Sequence, residues 1–276
     1  MFTLNCKGRL LKFDKPLVMG IINTTPDSFY EESRYNSMEA ILKKVEQMLL
    51  DGADIIDVGG QSSRPGSETV SEMEEMERVV PVIKTIAAYF PGVIISIDSF
   101  YAKVAKAAVE AGASIVNDIS AGNMDAEMIK TVSLLNVPYI IMHMKGIPKT
   151  MQDDPHYENM NKEVLDFFIE RIAVCKNAGI TDLIIDPGIG FGKTIEQNFE
   201  LIKNLSLLKI LGYPILLGVS RKSLIYKTLN ISPAEALNGT SVLNSFALMA
   251  STDLLRVHDV KEARQTIQLF SSCFNK

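Results

Sequence analysis

The chain has 276 residues, of which 47% are hydrophobic and 22% are charged, and its formal net charge is −5. This is ordinary globular composition, and the acidic balance argues against a nucleic-acid-binding protein, which usually carries a basic patch. The cysteines are few and widely spaced, the first residues do not resemble a signal peptide, and no apolar run is long enough to span a membrane. We therefore expect a reduced cytoplasmic protein that binds neither nucleic acid nor membrane.

One local pattern recurs along the chain: a helix-like stretch ends in a small or glycine-containing turn, and a short apolar run with a polar end follows. It occurs at 51–57, 111–117 and 178–186, and in a weaker form at 251–258. Four further apolar runs lie at 17–22, 93–97, 139–142 and 215–219. Unbroken apolar runs are typical of parallel strands, because helices cover both faces of such a sheet. The sequence thus contains eight strand candidates.

Stretches with a helical spacing of apolar residues separate these strands. They cover 37–50, 71–89, 102–111, 125–135, 161–178, 196–211, 233–250 and 260 to about 270. Eight strand–helix units predict one α/β domain over residues 1–276, built as a (β/α)8 TIM barrel at 16–276 with a short N-terminal hairpin at 1–15. A doubly wound open sheet is the alternative fold. The hairpin is expected to turn at Lys7-Gly8 and to close the bottom of the barrel.

Polar residues follow every strand candidate, at the carboxyl ends where barrels of this kind place their active sites. These strand ends supply Asn23, Asp57, Asp98, Asn117, His143, Asp186, Ser220 and Arg256. A single aspartate in such a place is commonly a helix N-cap, and for Asp57 we favour a structural role. Eight polar ends converging on one mouth are costly to desolvate unless a ligand pairs them, so we expect a binding site there.

The last two strand candidates are followed by four basic residues, in the loops where these barrels commonly bind phosphate: Arg221, Lys222, Arg256 and His258. We therefore predict an anion site. Asp98, Asn117 and Asp186 end three other strands, and their carboxylates and amide suit a planar heterocycle with amino and ring N–H donors. Guanine-like and pterin rings fit that description.

The glycine-rich stretch at 188–194 does not predict a nucleotide site. Pro187 occupies the position where a P-loop needs its first glycine, and the spacing of Gly188, Gly190 and Gly192 is not that of a dinucleotide-binding turn. Among the histidines, His143 has no metal-ligand partner at helical spacing and His156 lies in a polar loop. His258 follows an arginine at a strand end, and it is the one histidine for which we predict a function.

Eight motifs together resemble the dihydropteroate synthase family over nearly the whole barrel. In chain order they are MGIINTTPDSF, DVGGQSSRPG, SIDS, NDIS, MHMKGIPKTMQ, IDPGIGFGKT, GVSRKS and RVHDV. The resemblance implies a transferase of folate biosynthesis, a sulfonamide target that joins 6-hydroxymethyl-7,8-dihydropterin pyrophosphate to para-aminobenzoate and releases pyrophosphate. It also implies a homodimer that uses Mg²⁺.

The resemblance also implies roles for individual residues. The pterin would contact Asp98, Asn117, Ile119, Met142, Asp186, Phe191 and Lys222. The pyrophosphate would contact Asn23, Arg64, Arg256 and His258, with Asn23 as the Mg²⁺ ligand. Para-aminobenzoate would contact Ser63, Arg64, Pro65, Phe191, Lys222 and Ser223. Asp98, Lys222, Arg256 and His258 would be the catalytic residues, with no Ser-His-Asp or Cys-His device.

Two positions depart from the family pattern: Glu31 stands where aspartate is usual, and Ser63 where threonine is usual. We expect Glu31 to act as a latch that closes the first barrel loop over the bound substrates. Two other functions are compatible with a pterin-binding barrel. One is a corrinoid-linked methyltetrahydrofolate methyltransferase domain, and the other is a non-catalytic pterin-binding paralogue. The intact set of basic residues disfavours both, because neither protein has to expel pyrophosphate.

Overall fold

The computed structural model describes residues 2–24, 34–61, 69–153 and 155–274, with the backbone alone described at 34–37. The strands in these residues are β1 (Thr3–Cys6), β2 (Arg9–Lys12), β3 (Leu17–Asn23), β4 (Ile55–Gly59), β5 (Ile94–Asp98), β6 (Ile115–Asp118), β7 (Tyr139–Met142), β8 (Leu183–Asp186), β9 (Leu216–Leu217) and β10 (Leu254–Val257). The helices are α1 (Arg34–Leu50), α2 (Glu72–Tyr89), α3 (Ala102–Ala111), α4 (Met128–Leu135), α5 (Met160–Asn177), α6 (Ile195–Lys203), α7 (Ser223–Leu229), α8 (Leu237–Met249) and α9 (Val260–Phe274).

Eight parallel strands form the barrel. They neighbour one another in the order β8-β7-β6-β5-β4-β3-β10-β9, and a parallel bridge between Ile185 and Ile215 joins the two outer strands of this series. The predicted (β/α)8 barrel is therefore confirmed, and the open doubly wound sheet is wrong. Because a helical connection returns the chain to the same end of the barrel before each new strand, all the carboxyl ends meet at one mouth.

The N-terminal hairpin closes the opposite end, as predicted. Lys7 and Gly8 have φ angles of 53° and 85°, the left-handed conformation that a two-residue type I′ turn requires. The buried side chains of the hairpin pack under the barrel interior: Leu4, Cys6, Leu11 and Phe13. The backbone N–H of Asn5 donates to Asp182 Oδ2 at 2.6 Å, just before β8 begins. The hairpin is thus fastened to the amino-terminal end of the strands.

The barrel strands are buried on both faces, which explains their unbroken apolar runs. Val18 and Ile56 belong to the core between strands and helices, whereas Met19 and Ile55 fill the lower interior of the barrel. Full burial of an aliphatic side chain of this size contributes about 1.5–3 kcal/mol. The apolar interior leaves the mouth as the place where polar side chains of several strands meet.

The helices differ from the prediction in three places. The stretch predicted as one helix at 233–250 consists of a 3-10 segment, Pro233–Glu235, and α8. The stretch predicted as one helix at 196–211 consists of α6 and a 3-10 segment, Leu205–Leu211, because apolar spacing alone does not distinguish the two helix types. Helix α7 was not predicted; it is seven residues long and ends at Leu229, and the following Asn230, with a φ of 54°, caps it. In the part of the chain that the structure describes, no helix has the length and apolar character needed to cross a membrane.

Candidate active site

Arg256 is the centre of the polar cluster at the barrel mouth. Its Nε donates to Asp57 Oδ2 at 2.7 Å, and its Nη2 lies 2.6 Å from Asp57 Oδ2 and 2.5 Å from Asp98 Oδ2. These contacts connect β10 with β4 and β5 across the mouth. Burial raises the pKa of Asp98 to about 6, while the guanidinium of Arg256 opposes the rise. The ion pair with Arg256 favours the ionised form of Asp98.

Asp57 belongs to this cluster, although the sequence favoured a structural role. It is fully buried, and Oδ2 also accepts from Asn117 Nδ2 at 3.2 Å. Its second oxygen, Oδ1, is buried without a hydrogen-bond partner among the described residues. One signal was present in the sequence. A carboxylate inside the apolar run of β4 needs a cationic partner, because an unpaired buried charge is strongly unfavourable.

Asp186 and Lys222 form the other side of the mouth. Asp186 accepts from the backbone N–H of Gly188 at 2.8 Å, and burial raises its pKa. Lys222 Nζ donates to the carbonyl of Ile189 at 2.6 Å and lies 4.8 Å from the centre of the Phe191 ring. Burial lowers the pKa of Lys222 to about 8, and nearby Asp186 limits the fall. A hydrogen-bond acceptor (Asp186), a cation (Lys222) and an aromatic face (Phe191) thus lie on the same side of the mouth.

An apolar wall borders these polar groups. It consists of Phe100, Ile119, Met142, Met151 and Phe191, all less than a tenth exposed. Three of these residues were predicted as pterin contacts from the sequence: Ile119, Met142 and Phe191. A flat ring could stack on such a wall while its edge meets carboxylates and amide, which is the usual arrangement of a small-molecule site.

The glycine-rich turn after β8 is shaped by packing. A Cβ atom on Gly188 would lie 1.9 Å from the carbonyl oxygen of His143, and both Gly188 and Gly192 have positive φ. The buried Lys193 donates from Nζ to the carbonyls of His143, Gly188 and Phe191 at 3.3, 2.9 and 3.0 Å. This lysine, which the sequence analysis did not single out, ties the turn after β8 to the end of β7.

Not all four basic residues predicted for the anion site carry a positive charge that is available to a ligand. Arg221 makes two 2.9 Å contacts with the carboxylate of Asp259 and also donates to Ala234 O at 2.7 Å. His258 Nδ1 lies 3.0 Å from Ser220 Oγ, and burial together with Arg256 lowers its pKa to about 4. His258 is therefore neutral at pH 7. The predicted anion site consists of Lys222, Arg256 and a histidine that would have to gain a proton.

Asn23 and Ser223 also lie at this end of the barrel. Asn23 is the last residue of β3 and the only exposed residue of that strand, and Ser223 begins α7 directly after Lys222. The described residues contain no group of three His, Cys, Asp or Glu side chains that could hold a metal ion. Proteins usually bind Mg²⁺ through one or two carboxylates together with substrate phosphates, and the exposed Asn23 offers an amide oxygen for such a ligand. Four predicted site residues lie outside the described residues: Glu31, Ser63, Arg64 and Pro65.

The chain is similar to known proteins over most of its length. Residues 19–258 match the family described as pterin binding enzyme. The dihydropteroate synthase of Clostridium beijerinckii is 46% identical over 252 residues, which cover 90% of this chain and 91% of that protein.

Two solved structures have the same fold over nearly all of both chains. The dihydropteroate synthase of Yersinia pestis in complex with a sulfonamide drug superposes with a TM-score of 0.94 at 37% identity, covering 100% of each chain. The Xanthomonas albilineans dihydropteroate synthase with 4-aminobenzoic acid gives a TM-score of 0.91 at 38% identity, covering 99% of this chain and 98% of that one.

Proposed function

The chain belongs to the dihydropteroate synthase family of pterin-binding enzymes, and we propose that it condenses 6-hydroxymethyl-7,8-dihydropterin pyrophosphate with para-aminobenzoate. The methylene C–O bond of the pterin substrate breaks, a C–N bond to the arylamine forms, and pyrophosphate and the amine proton are released. This is an alkyl transfer. The observation that carries the proposal is the meeting of Asp98, Asn117, Asp186, Lys222 and Arg256 at one barrel mouth beside an apolar wall.

The pterin ring occupies the mouth between the carboxylates of Asp98 and Asp186. Asp186 accepts hydrogen bonds from the amino and N–H groups at the edge of the ring. The side-chain amide of Asn117 can both accept from and donate to that edge. Lys222 complements the ring carbonyl, while Ile119, Met142 and Phe191 cover its faces. Asp98, whose carboxylate is paired with Arg256, faces the positive charge that develops on the methylene as pyrophosphate leaves.

The leaving pyrophosphate requires positive charge around it. Arg256 supplies a permanent cation, and His258 takes up a proton as the phosphate anion approaches, because negative charge favours imidazolium. Arg64 and Asn23 complete this subsite, with Asn23 as the protein ligand of Mg²⁺. When bound, Mg²⁺ neutralises charge on the leaving group.

The arylamine occupies the outer part of the mouth. Ser223, Lys222 and Phe191 lie on the barrel side of this subsite. Ser63, Arg64 and Pro65, which lie outside the described residues, are assigned to it on the motif that they share with the family. Glu31 latches the first loop over the bound substrates. The 4-aminobenzoic acid bound by the Xanthomonas albilineans relative and the sulfonamide bound by the Yersinia pestis relative support para-aminobenzoate as the second substrate. The amine is itself a nucleophile, so no further activating device is required.

We further propose that this cytoplasmic enzyme is a homodimer, assembled through α8. Val242, Phe246 and Met249 are 44%, 53% and 63% exposed and share one face of that helix. Leu229 on the neighbouring α7 is also 52% exposed. A contiguous exposed apolar face of this kind is typical of a protein interface.

The test is incubation of the purified protein with the pterin pyrophosphate, para-aminobenzoate and Mg²⁺. We expect formation of dihydropteroate and release of pyrophosphate, both of which stop when Mg²⁺ is chelated. Pterin binding without turnover would instead indicate the non-catalytic paralogue. Methyl transfer from methyltetrahydrofolate to a corrinoid, without condensation, would indicate the methyltransferase.

Two substitutions separate binding from catalysis. Asp186→Asn should mainly raise the KM for the pterin substrate, because an amide places a donor where an acceptor is needed, at a cost of about 1–3 kcal/mol. Asp98→Asn should mainly lower kcat, because its charge acts on the developing cation. Steady-state kinetics measures both. Equal effects of the two substitutions, confined to KM, would contradict the assigned role of Asp98.

A further inference from the structure

Glu75 is a buried carboxyl group next to the site that the proposed reaction does not use. It lies in the first turn of α2 and is fully buried. Its Oε2 accepts from Gln61 Nε2 at 2.5 Å, whereas its Oε1 is buried without a hydrogen-bond partner among the described residues. A buried carboxyl with an unpartnered oxygen is costly, so its retention needs a reason.

Helix α2 holds the two residues with which the chain leaves β4. Arg78 donates from Nη1 to the carbonyl of Gly60 at 2.9 Å, and Glu75 holds the side chain of Gln61. Gly60 also packs so tightly on the helix that a Cβ atom would lie 2.8 Å from Glu75 Cγ. These two side chains therefore fix Gly60 and Gln61, the residues that directly follow β4.

Glu75 and Asp98 face the same small cavity. It has a volume of about 20 Å³, room for about one water molecule, and Gln61, Ser99 and Ile119 also line it. The charged and hydrogen-bonding groups around Glu75 are Gln61 after β4, Asp98 and Ser99 at the end of β5, Tyr101 before α3, and Arg78 on α2. Burial is the main cause that raises the pKa of Glu75 to about 7, and the charge of Asp98 contributes.

We infer that Glu75 is a positioning residue for the reaction of the arylamine. Through its own ionisation, Glu75 couples the negative charge beside Asp98 to the hydrogen bond that fixes Gln61. This rests on the proposed function, which assigns Ser63, Arg64 and Pro65, just beyond Gln61, to the arylamine. When Glu75 loses its proton, Gln61 is held by a charged acceptor, and such hydrogen bonds are about twice as strong as neutral ones. The same ionisation places a second negative charge near Asp98.

The expected consequence is a pH dependence specific to the arylamine. In the wild type, kcat/KM for para-aminobenzoate should rise about fivefold through pH 7, the factor that corresponds to about 1 kcal/mol. Glu75→Gln keeps an acceptor for Gln61 but has no proton to lose, so this rise should disappear. The remaining titration, that of Asp98, should move to lower pH because a neighbouring negative charge has been removed.

The experiment measures pyrophosphate release between pH 5.5 and 8.5 with saturating pterin pyrophosphate and Mg²⁺, varying para-aminobenzoate. Glu77→Gln is the matched control, since it removes an exposed carboxylate from the same helix and should keep the rise. Gln61→Leu removes the donor while leaving the buried carboxyl in place, so it should flatten the rise even if Glu75→Gln destabilises the fold.

Three outcomes would overturn the inference. A Glu75→Gln profile parallel to that of the wild type would show that the carboxyl is only structural. A Gln61→Leu profile that keeps the full rise would show that the charge does not act through Gln61. No turnover by any protein, the wild type included, would overturn the proposed function and this inference with it.

Discussion

At the scale of single residues, the mouth is organised by one guanidinium shared between two carboxylates. Arg256 binds Asp57 and Asp98, and Asp57 also holds the amide of Asn117. Asp57 therefore orients a predicted pyrophosphate contact and a predicted pterin contact together, although it need not touch either substrate. Removing one partner of a buried ion pair costs about 3–5 kcal/mol, mainly because the other charge is left uncompensated.

Asp57→Asn should therefore lower kcat/KM for the pterin pyrophosphate about a hundredfold, equivalent to about 2.7 kcal/mol. It should also lower the free energy of unfolding, which denaturant titration measures. Asp54→Asn is the control, because Asp54 pairs with Arg264 at the opposite end of β4. That variant should lose stability but keep its kinetics. If both variants kept normal kinetics, Asp57 would have the purely structural role that the sequence favoured.

His258 is a residue whose charge should depend on the ligand. Its pKa is lowered to about 4 by burial and by Arg256, so folding disfavours its protonation and the free protein has a neutral imidazole at pH 6. Bound pyrophosphate favours the charged form and should raise this pKa above 6, with uptake of a proton on binding. NMR titration of the His258 ring should show the shift, whereas His143, with a pKa near 2, should not titrate. An unchanged pKa in the complex would remove His258 from the pyrophosphate subsite.

At the scale of secondary-structure elements, the site depends on how the turn after β8 is attached to its neighbour. Lys193 donates to three carbonyls, of which His143 O follows β7 and Gly188 O and Phe191 O follow β8. Tyr157 Oη adds a 2.8 Å contact to Gly192 O. The turn carries Phe191, which forms part of the apolar wall, and it begins at Asp186.

Lys193→Met should leave these three buried carbonyls without their donor, each at a cost of about 1–3 kcal/mol. We expect a loss of about 3 kcal/mol or more in unfolding free energy and a raised KM for the pterin substrate. Equilibrium unfolding and steady-state kinetics measure the two effects. Lys149→Met, which removes an exposed lysine, should change neither. Normal pterin kinetics in Lys193→Met would mean that the turn keeps its shape without the lysine.

At the scale of the whole molecule, a single barrel domain would present α7 and α8 on one side for pairing with a second copy. Phe246→Glu should prevent the proposed dimer from forming, because it places a charge in the centre of the proposed apolar interface. Sedimentation analysis measures the mass. Leu134→Glu is the control, since Leu134 on α4 is 76% exposed on another side of the barrel. A wild type that sediments as a monomer would refute the proposed assembly.

The architecture was largely predictable from the amino-acid sequence. Eight apolar runs with polar ends predicted the barrel, because parallel strands covered on both faces have this pattern regardless of their exact partners. Lys7-Gly8 predicted the hairpin turn, since local backbone geometry limits what such a turn accepts. The motifs at the strand ends also indicated the family and the barrel mouth as the site. Helix α7 was missed because seven residues are too few for a clear helical period.

Only the tertiary structure decided which polar residues are paired. Arg256 contacts Asp57 and Asp98, which are 199 and 158 residues away along the chain. Arg221 forms an ion pair with Asp259, and Glu75 lines the same small cavity as Asp98. The sequence places each of these residues on an element, but it does not state which side chains face each other across a closed barrel. Partner and burial determine whether a charge is free, neutralised or shifted in pKa, and both arise only when distant strands are brought together.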